Sequence, residues 1–280
     1  MVPSPDAAIS VVVPVYNEPE RLSACLQHLR AQLYQPTELI VSDDGSDDRE
    51  VEKVARFYDA IYVAEERHVL PNGSPTRHMG RAINVGAELA TGDILVTLQQ
   101  DHLVAPDYFL WLVRCLSPDM VMLGLIDHIP QPPPDFLPSL IRGLHLPDGH
   151  HRYDVYLNQG RSTLLDIWDW RSTDALDSAH YRVYWMPCDL SYPPASHVWM
   201  DHMLQLQLRG LHFVLNPLMR LWHWDHSQRY TGDWEEEMRQ SEEIFKQKWG
   251  ALAFESQVAF LHNNYREQRL EFQRRQETGP

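Results

Sequence analysis

The segment Thr97-Leu98-Gln99-Gln100-Asp101-His102 closes an apolar stretch that begins just after Thr91-Gly92-Asp93. If that stretch is a strand of a nucleotide-binding α/β sheet, its carboxyl end is where phosphate, sugar and metal meet. Asp101 brings the carboxylate oxygen that hard divalent cations prefer, and His102 is a substitute donor of the imidazole type. Gln99 and Gln100 bring carbonyl oxygens without charge, suited to a ribose hydroxyl or a metal-bound water. Two other segments pass from an apolar run into polar residues. Val13-Pro14-Val15-Tyr16-Asn17-Glu18 stands where a strand gives way to a helix, and helix N-termini favour anions. Ile40-Val41-Ser42-Asp43-Asp44-Gly45-Ser46-Asp47-Asp48 places adjacent carboxylates at a glycine turn. Such carboxylates accept hydrogen bonds from a base or ribose, although an Asp-Gly turn with a helix cap gives the same residues.

The elements that must position these groups follow from hydrophobic periodicity. Ile9 to Val15 is continuously apolar and β-branched, as in a strand buried on both faces. Leu22, Cys25, Leu26 and Leu29 repeat at helical spacing. Strands are expected at Glu38–Ser42, Ala60–Ala64, Ile94–Leu98 and Met120–Ile126, and helices at Asp47–Tyr58, Gly80–Ala90 and Pro106–Leu116. That alternation predicts an α/β fold with a mostly parallel central sheet and helices on both faces. The proline-rich stretch 130–147 with its Pro132-Pro133-Pro134 run predicts an irregular insertion. Beyond it a short helix is expected at Leu164–Arg171, a strand at Tyr181–Met186 and a helix at about His197–Arg209. Short strands follow at Phe213–Asn216 and Leu218–Trp222, with C-terminal helices from Asp233 onward. The organisation is thus 1–127 as a half of repeated strand–helix units, 128–232 as a half carrying the Pro/His-rich insertion and 233–280 as a helical extension.

Composition narrows the partners. With 24 basic and 39 acidic residues the chain carries −15, so a nucleic-acid surface is not expected. No apolar run approaches the ~20 residues of a membrane span, so no transmembrane segment is expected, and Met1–Ser10 lacks a signal-peptide pattern. Cys25, Cys115 and Cys188 have no metal-type spacing, which suits reduced thiols in a cytoplasmic protein; peripheral association with a membrane stays open.

Taken together, VVVPVYNEPERLSACLQHLRAQ, ELIVSDDGSDD, Gly80-Arg81-Ala82-Ile83-Asn84-Val85-Gly86 and Ala90-Thr91-Gly92-Asp93 leading into Gln99-Gln100-Asp101 resemble the family 2 inverting glycosyltransferases. The resemblance covers about residues 8–115, and 185–226 more loosely. It implies the GT-A fold and transfer of a sugar from a nucleotide diphosphate donor, often a UDP-sugar, to the hydroxyl of a glycan or other acceptor. By it, Pro14, Tyr16 and Glu18 line the nucleotide pocket, Asp43 or Asp44 contacts the base, and Arg77 or Arg81 reaches the pyrophosphate or base. Gln99 and Gln100 face the donor. Asp101 matches the second residue of the family's Asp-any-Asp pair, which binds Mn2+ or Mg2+, and Gln99 replaces the first.

The resemblance also gives roles to two distant segments. In Val198-Trp199-Met200-Asp201-His202-Met203-Leu204, Met200 replaces the first acid of the family's acceptor-side pair and Asp201 keeps the second, the general base that takes the acceptor proton. An acid in a helix's first turn is also stabilised by the dipole alone. In Leu221-Trp222-His223-Trp224-Asp225-His226, His223, or His226 as the alternative, completes the metal site. Trp199, Trp222 and Trp224 could stack on sugar faces or pack in the core. Without Gln99's usual aspartate and the Met200-position acid, the competing reading is an inactive nucleotide-sugar-binding or scaffold protein of the same fold.

Overall fold

The computed structural model describes residues 7–47, 49–66, 68–69, 75–76, 78–142, 165–166, 178–193, 198–224 and 234–255. Strand β1 (Ile9–Val15) is buried at every position, as its unbroken apolar run requires. It pairs in parallel with β2 (Glu38–Asp43), which pairs in parallel with β3 (Ile61–Ala64). Two short strands, β4 (His68–Val69) and β5 (Pro75–Thr76), form a separate antiparallel pair. On its other side β1 meets β6 (Ile94–Thr97), again parallel, and the pairing ends at Val12, so Pro14 lies where no donor is required.

The sheet then continues with strands far apart in sequence. Strand β7 (His102–Val104) follows β6 directly, β8 is Met120–Ile129, β9 Leu165–Asp166, β10 Ser178–Tyr181 and β11 His212–Trp224. The order is β3-β2-β1-β6-β10-β8-β11-β7, with β9 also on β11. Strand β10 runs antiparallel to β6 and β8, β11 parallel to β8, and β7 antiparallel to β11.

Alternate residues of the strands face different helices. Val11, Val13 and Val15 pack with Leu22, Leu26 and Leu29 of α1 (Pro19–Arg30), Val51 and Ala55 of α2 (Glu50–Phe57), and Phe109 and Leu112 of α4 (Tyr108–Cys115). Val12, Ile40 and Leu95 pack with Ala87 of α3 (Met79–Leu89) and Ala90. Val121 and Leu123 meet Met203 and Leu206 of α6 (Val198–Leu208). The C-terminal helix α7 (Trp234–Trp249) is anchored by Phe245, packed with Ile83, Tyr192, Val198 and Met200. No described helix is long and apolar enough to cross a membrane, and the three cysteines remain thiols.

The sequence expectations need four corrections. Residues Phe136–Arg142, inside the proline-rich stretch, form helix α5, with Pro138 in the first turn, where its missing N–H costs nothing. Leu165 and Asp166 are a strand on β11 rather than part of a helix; residues 167–171 lie outside the described set. The strand expected at Tyr181–Met186 ends at Tyr181 and turns into a 3₁₀ helix at Arg182–Tyr184, because Arg182 bonds back to Asp93 O and Gly92 O in the turn before β6. The two short strands at 213–222 are one strand interrupted by a bulge between Asn216 and Arg220, where the proline of the sequence cannot donate.

One packing feature sets a pH response. His202 on α6 is buried against Trp185 at 5.0 Å between ring centres, and Trp185 stacks on buried His180 at 6.2 Å. Burial, with the neighbouring His180 adding to it, lowers the His202 pKa to about 3. The unfolded imidazole binds protons near pH 6.5, so this stabilisation is complete above that pH and is lost as pH falls below it. At pH 5 His202 alone withdraws about 2 kcal/mol, or roughly 4–8 °C in Tm. Melting curves at pH 7.5, 6 and 5 should show that decline, and His202→Gln should make it shallower, with His28, His78 and His180, whose pKa values burial also lowers, carrying the rest.

Candidate functional site

The turn from β1 into α1 is built from two residues in the left-handed region, Asn17 at φ 55° and Glu18 at φ 55°. A non-glycine pair costs energy there and persists only where neighbours over-determine it. Asn17 N donates to Ser46 Oγ at 2.7 Å, and Asp47 N donates to Asn17 Oδ1 at 3.0 Å, so the β1 and β2 turns brace each other. From the end of β6, Gln100 Oε1 accepts from Tyr16 N at 3.0 Å while its Nε2 donates to Glu18 Oε2 at 2.9 Å. Gln100 therefore clamps the turn carrying Tyr16 and Glu18, just past Pro14 of β1, to the connection between β6 and β7 that carries Asp101. That bridging role was not legible in its sequence position.

At the end of β2 the two aspartates are engaged differently. Asp43 accepts from Ser46 N at 2.8 Å and from the Tyr62 hydroxyl at 2.7 Å. Buried Asp44 accepts from the His78 backbone N–H and pairs with the Arg81 guanidinium. Arg81, at the start of α3, is thus tied to the acid that closes β2. Buried polar atoms almost always find partners. Ser42 Oγ, His78 Nδ1 and Arg81 Nε have none among the described residues. Three such atoms near one strand end are what a polar ligand or water would satisfy.

The third group gathers at the end of β6. Strand β7 pairs with β11 so that His102 lies directly opposite His223, and Trp224 N donates to Asp101 O at 2.9 Å. The pairing brings His223 Nε2 to 3.3 Å from Asp101 Oδ2 and leaves His102 Nε2 at 3.9 Å from Asp101 Oδ1. One ligand atom from each of the three lies within 4.8 Å of the others. A donor set of one carboxylate and two imidazoles suits a borderline cation such as Mn2+ better than Mg2+, which demands oxygen donors. His102 thus joins the pair that the sequence singled out. Its signal was weak because β7 has only three residues and its partner strand lies more than a hundred positions away.

Asp201 sits in the first turn of α6 and is 0% exposed. Its Oδ1 accepts from Trp249 Nε1 at 2.5 Å and Tyr192 Oη at 3.2 Å, and its Oδ2 from Gln205 Nε2 at 2.6 Å and Lys248 Nζ at 3.0 Å. Tyr192 also accepts, through its carbonyl, a contact from His78 Nε2 at 3.0 Å, whose own N–H holds Asp44. A continuous chain Asp44–His78–Tyr192–Asp201 therefore joins the two aspartates across the site. Burial lowers the His78 pKa, with the Tyr192 carbonyl acting in the opposite direction, so this link is neutral at pH 7.

Comparison with other proteins now bears on this arrangement. Residues 10–162, more than half the chain, match the profile of Glycosyl transferase family 2. The chain belongs to that family. Relatives of this family 2 chain include the uncharacterized protein y4gI of Sinorhizobium fredii, 38% identical over 110 residues, which are 39% of this chain and 12% of that one. Glycosyltransferase GlyG of Streptococcus pneumoniae is 33% identical over 34% of this chain and 31% of its own. The undecaprenyl-phosphate 4-deoxy-4-formamido-L-arabinose transferase of Serratia proteamaculans is 34% identical over 44% and 37%. The family 2 chain thus spans under two fifths of each of these relatives. Among solved structures, S. aureus TarS 1–349 in complex with UDP-GlcNAc superposes with a TM-score of 0.57 at 16% identity, over 85% of this chain and 66% of that one. GalNAc-T7 with UDP, GalNAc and Mn2+ gives 0.57 at 14% identity, over 86% and 48%. At such identities the likeness establishes the fold, which is GT-A.

Within the family 2 fold, the structure brings Tyr16, Glu18 and Gln100 together, Asp44 with Arg81, and Asp101 with His223 and His102. Asp201 joins Asp44 through His78 and Tyr192. Gln99 accepts through its carbonyl from His102 N at 3.1 Å. Trp222 packs edge-on to Phe136 of α5 at 5.1 Å, Trp224 lies under the Arg21 guanidinium at 4.8 Å, and half-buried Trp199 packs beside α6 residues. Arg77 and His226 lie outside the described residues.

Proposed function

We propose that this chain transfers a sugar from a nucleotide-diphosphate sugar, a UDP-sugar in the favoured case, to an acceptor hydroxyl with inversion at the anomeric carbon. The observation that carries the reading is the meeting of Asp101, His102 and His223 at the carboxyl end of β6, beside the braced turns of β1 and β2. Asp101 and His223, with His102, would hold a divalent cation, Mn2+ before Mg2+; when bound it supplies charge to offset the departing nucleotide. Tyr16, Glu18 and the Asp43–Asp44 turn would receive the nucleoside, with Arg81 acting through its hold on Asp44. Asp201 would accept the acceptor proton during a single displacement. The acceptor is a glycan or another hydroxyl-bearing molecule. A second reading, donor binding without turnover, draws on one observation: every side of the Asp201 carboxylate is already hydrogen-bonded.

A thermal-shift series with UDP, GDP and several UDP-sugars, each with and without Mn2+ and Mg2+, tests the donor and metal parts. At saturating UDP and Mn2+ the Tm should rise by roughly 5–10 °C, the linkage effect of a ligand at about a hundred times its Kd. No shift with any nucleotide would remove the reading.

A further inference from the structure

Asp201 is enclosed by groups of two origins. Gln205 is one turn along its own helix and Tyr192 lies in the preceding loop, but Lys248 and Trp249 come from the last turn of α7. An ionised carboxylate offers about four acceptor positions, and four donors occupy them. A general base must have one of those positions within hydrogen-bond reach of the hydroxyl it deprotonates. In the enclosed arrangement no position is open.

We propose that the last turn of α7 is a latch on Asp201, and that Lys248 and Trp249 must swing away before the carboxylate can take a proton. This rests on Asp201 being the base of the proposed reaction. The latch has a hinge: α7 stops at Gly250, at φ +91°, where a Cβ would meet nothing within 4 Å, and the chain turns helical again over 251–255. A glycine in that conformation changes direction at little cost. Phe245 before the turn and Phe254 after the glycine are buried and pack on each other at 5.8 Å, so both flanks stay docked while opening unwinds only the turn between them that carries Lys248 and Trp249. Lys248 is a partly exposed hand-hold, its side chain 32% exposed, and it also grips Asp189 at 2.6 Å. An acceptor that offers its own hydroxyls to Asp201 replaces the two donors it displaces, which couples opening to the arrival of the correct partner. Lys248 and Trp249 are positioning residues in this scheme.

Hydrogen exchange on the intact protein, with the Lys248→Met/Trp249→Phe double variant alongside, tests the latch. In the wild type, the amides of 246–255 should exchange through a local opening much faster than those of β1. The double variant loses two charge-assisted bonds to Asp201 and should exchange there at least about ten times faster still, the change in an opening equilibrium that one such bond alone gives. Its hydrolysis of UDP-GlcNAc and UDP-glucose, read as UDP release, should rise by a similar factor. Exchange of 246–255 only at the rate of β1 in the wild type overturns the latch, even if the variant does not fold. So does a folded variant whose UDP release is unchanged or lower. If instead Asp201→Asn releases UDP as fast as the wild type, the base assignment fails while the exchange result stands by itself.

Discussion

Replacing Asp201 by Asn is expected to lower sugar transfer about 100- to 10,000-fold, the range removed with a positioned general base, and to leave UDP affinity within twofold. The substitution keeps the shape but turns one acceptor into a donor. The charge that Lys248 Nζ and Trp249 Nε1 face is lost, and only Tyr192 Oη or a turned Gln205 amide can accept from the new NH2, so stability also falls, by about 1–3 kcal/mol. The two effects separate cleanly. A melting curve reports the loss of stability, and a UDP titration at a temperature well below the transition reports whether the donor half is intact. Equal loss of UDP binding and turnover would mean that Asp201 holds the fold and does no chemistry.

Asp101→Ala should have the second-largest effect. Among the described residues Asp101 is the only carboxylate in the cluster with His102 and His223, so its loss leaves two imidazoles and no anionic ligand to face a cation. Mn2+ should no longer raise the Tm in the presence of UDP, and turnover should drop about 100- to 1,000-fold, the scale of losing one preorganised electrostatic partner for a leaving group. His102→Ala removes one of the three donors and should weaken Mn2+ binding about tenfold while sparing the protein's response to UDP alone. Calorimetric titration of Mn2+ into each variant measures both. Equal Mn2+ affinity in the wild type and Asp101→Ala would place the cation elsewhere.

Much of the frame could be read before any coordinates. The apolar run of β1, the α1 stripe at Leu22, Leu26 and Leu29, and the polar residues closing β1, β2 and β6 are short-range patterns, and each element stands where its periodicity put it. What stayed hidden depends on pairing across long sequence distances. Strand β7 is three residues long and gains its meaning only from lying against the far end of β11, which sets His102 opposite His223. Gln100 looked like a donor contact but spans to the β1 turn, because Tyr16 and Glu18 present a backbone N–H and a carboxylate at the spacing of one amide. The enclosure of Asp201 could not be foreseen at all. Its donors Lys248 and Trp249 sit on a helix whose outward face is a run of acidic and basic residues, a pattern that reports solvent and says nothing of what its last turn covers.

UDP release from a panel of UDP-sugars in the presence of Mn2+, followed for the wild type and Asp201→Asn in parallel, tests the account most directly. The account predicts release above background from at least one donor by the wild type and none by the variant, with both proteins binding UDP. A wild-type protein that binds UDP and Mn2+ yet releases no UDP from any donor, with or without hydroxyl-bearing acceptors, would contradict it and leave a nucleotide-sugar-binding protein in its place.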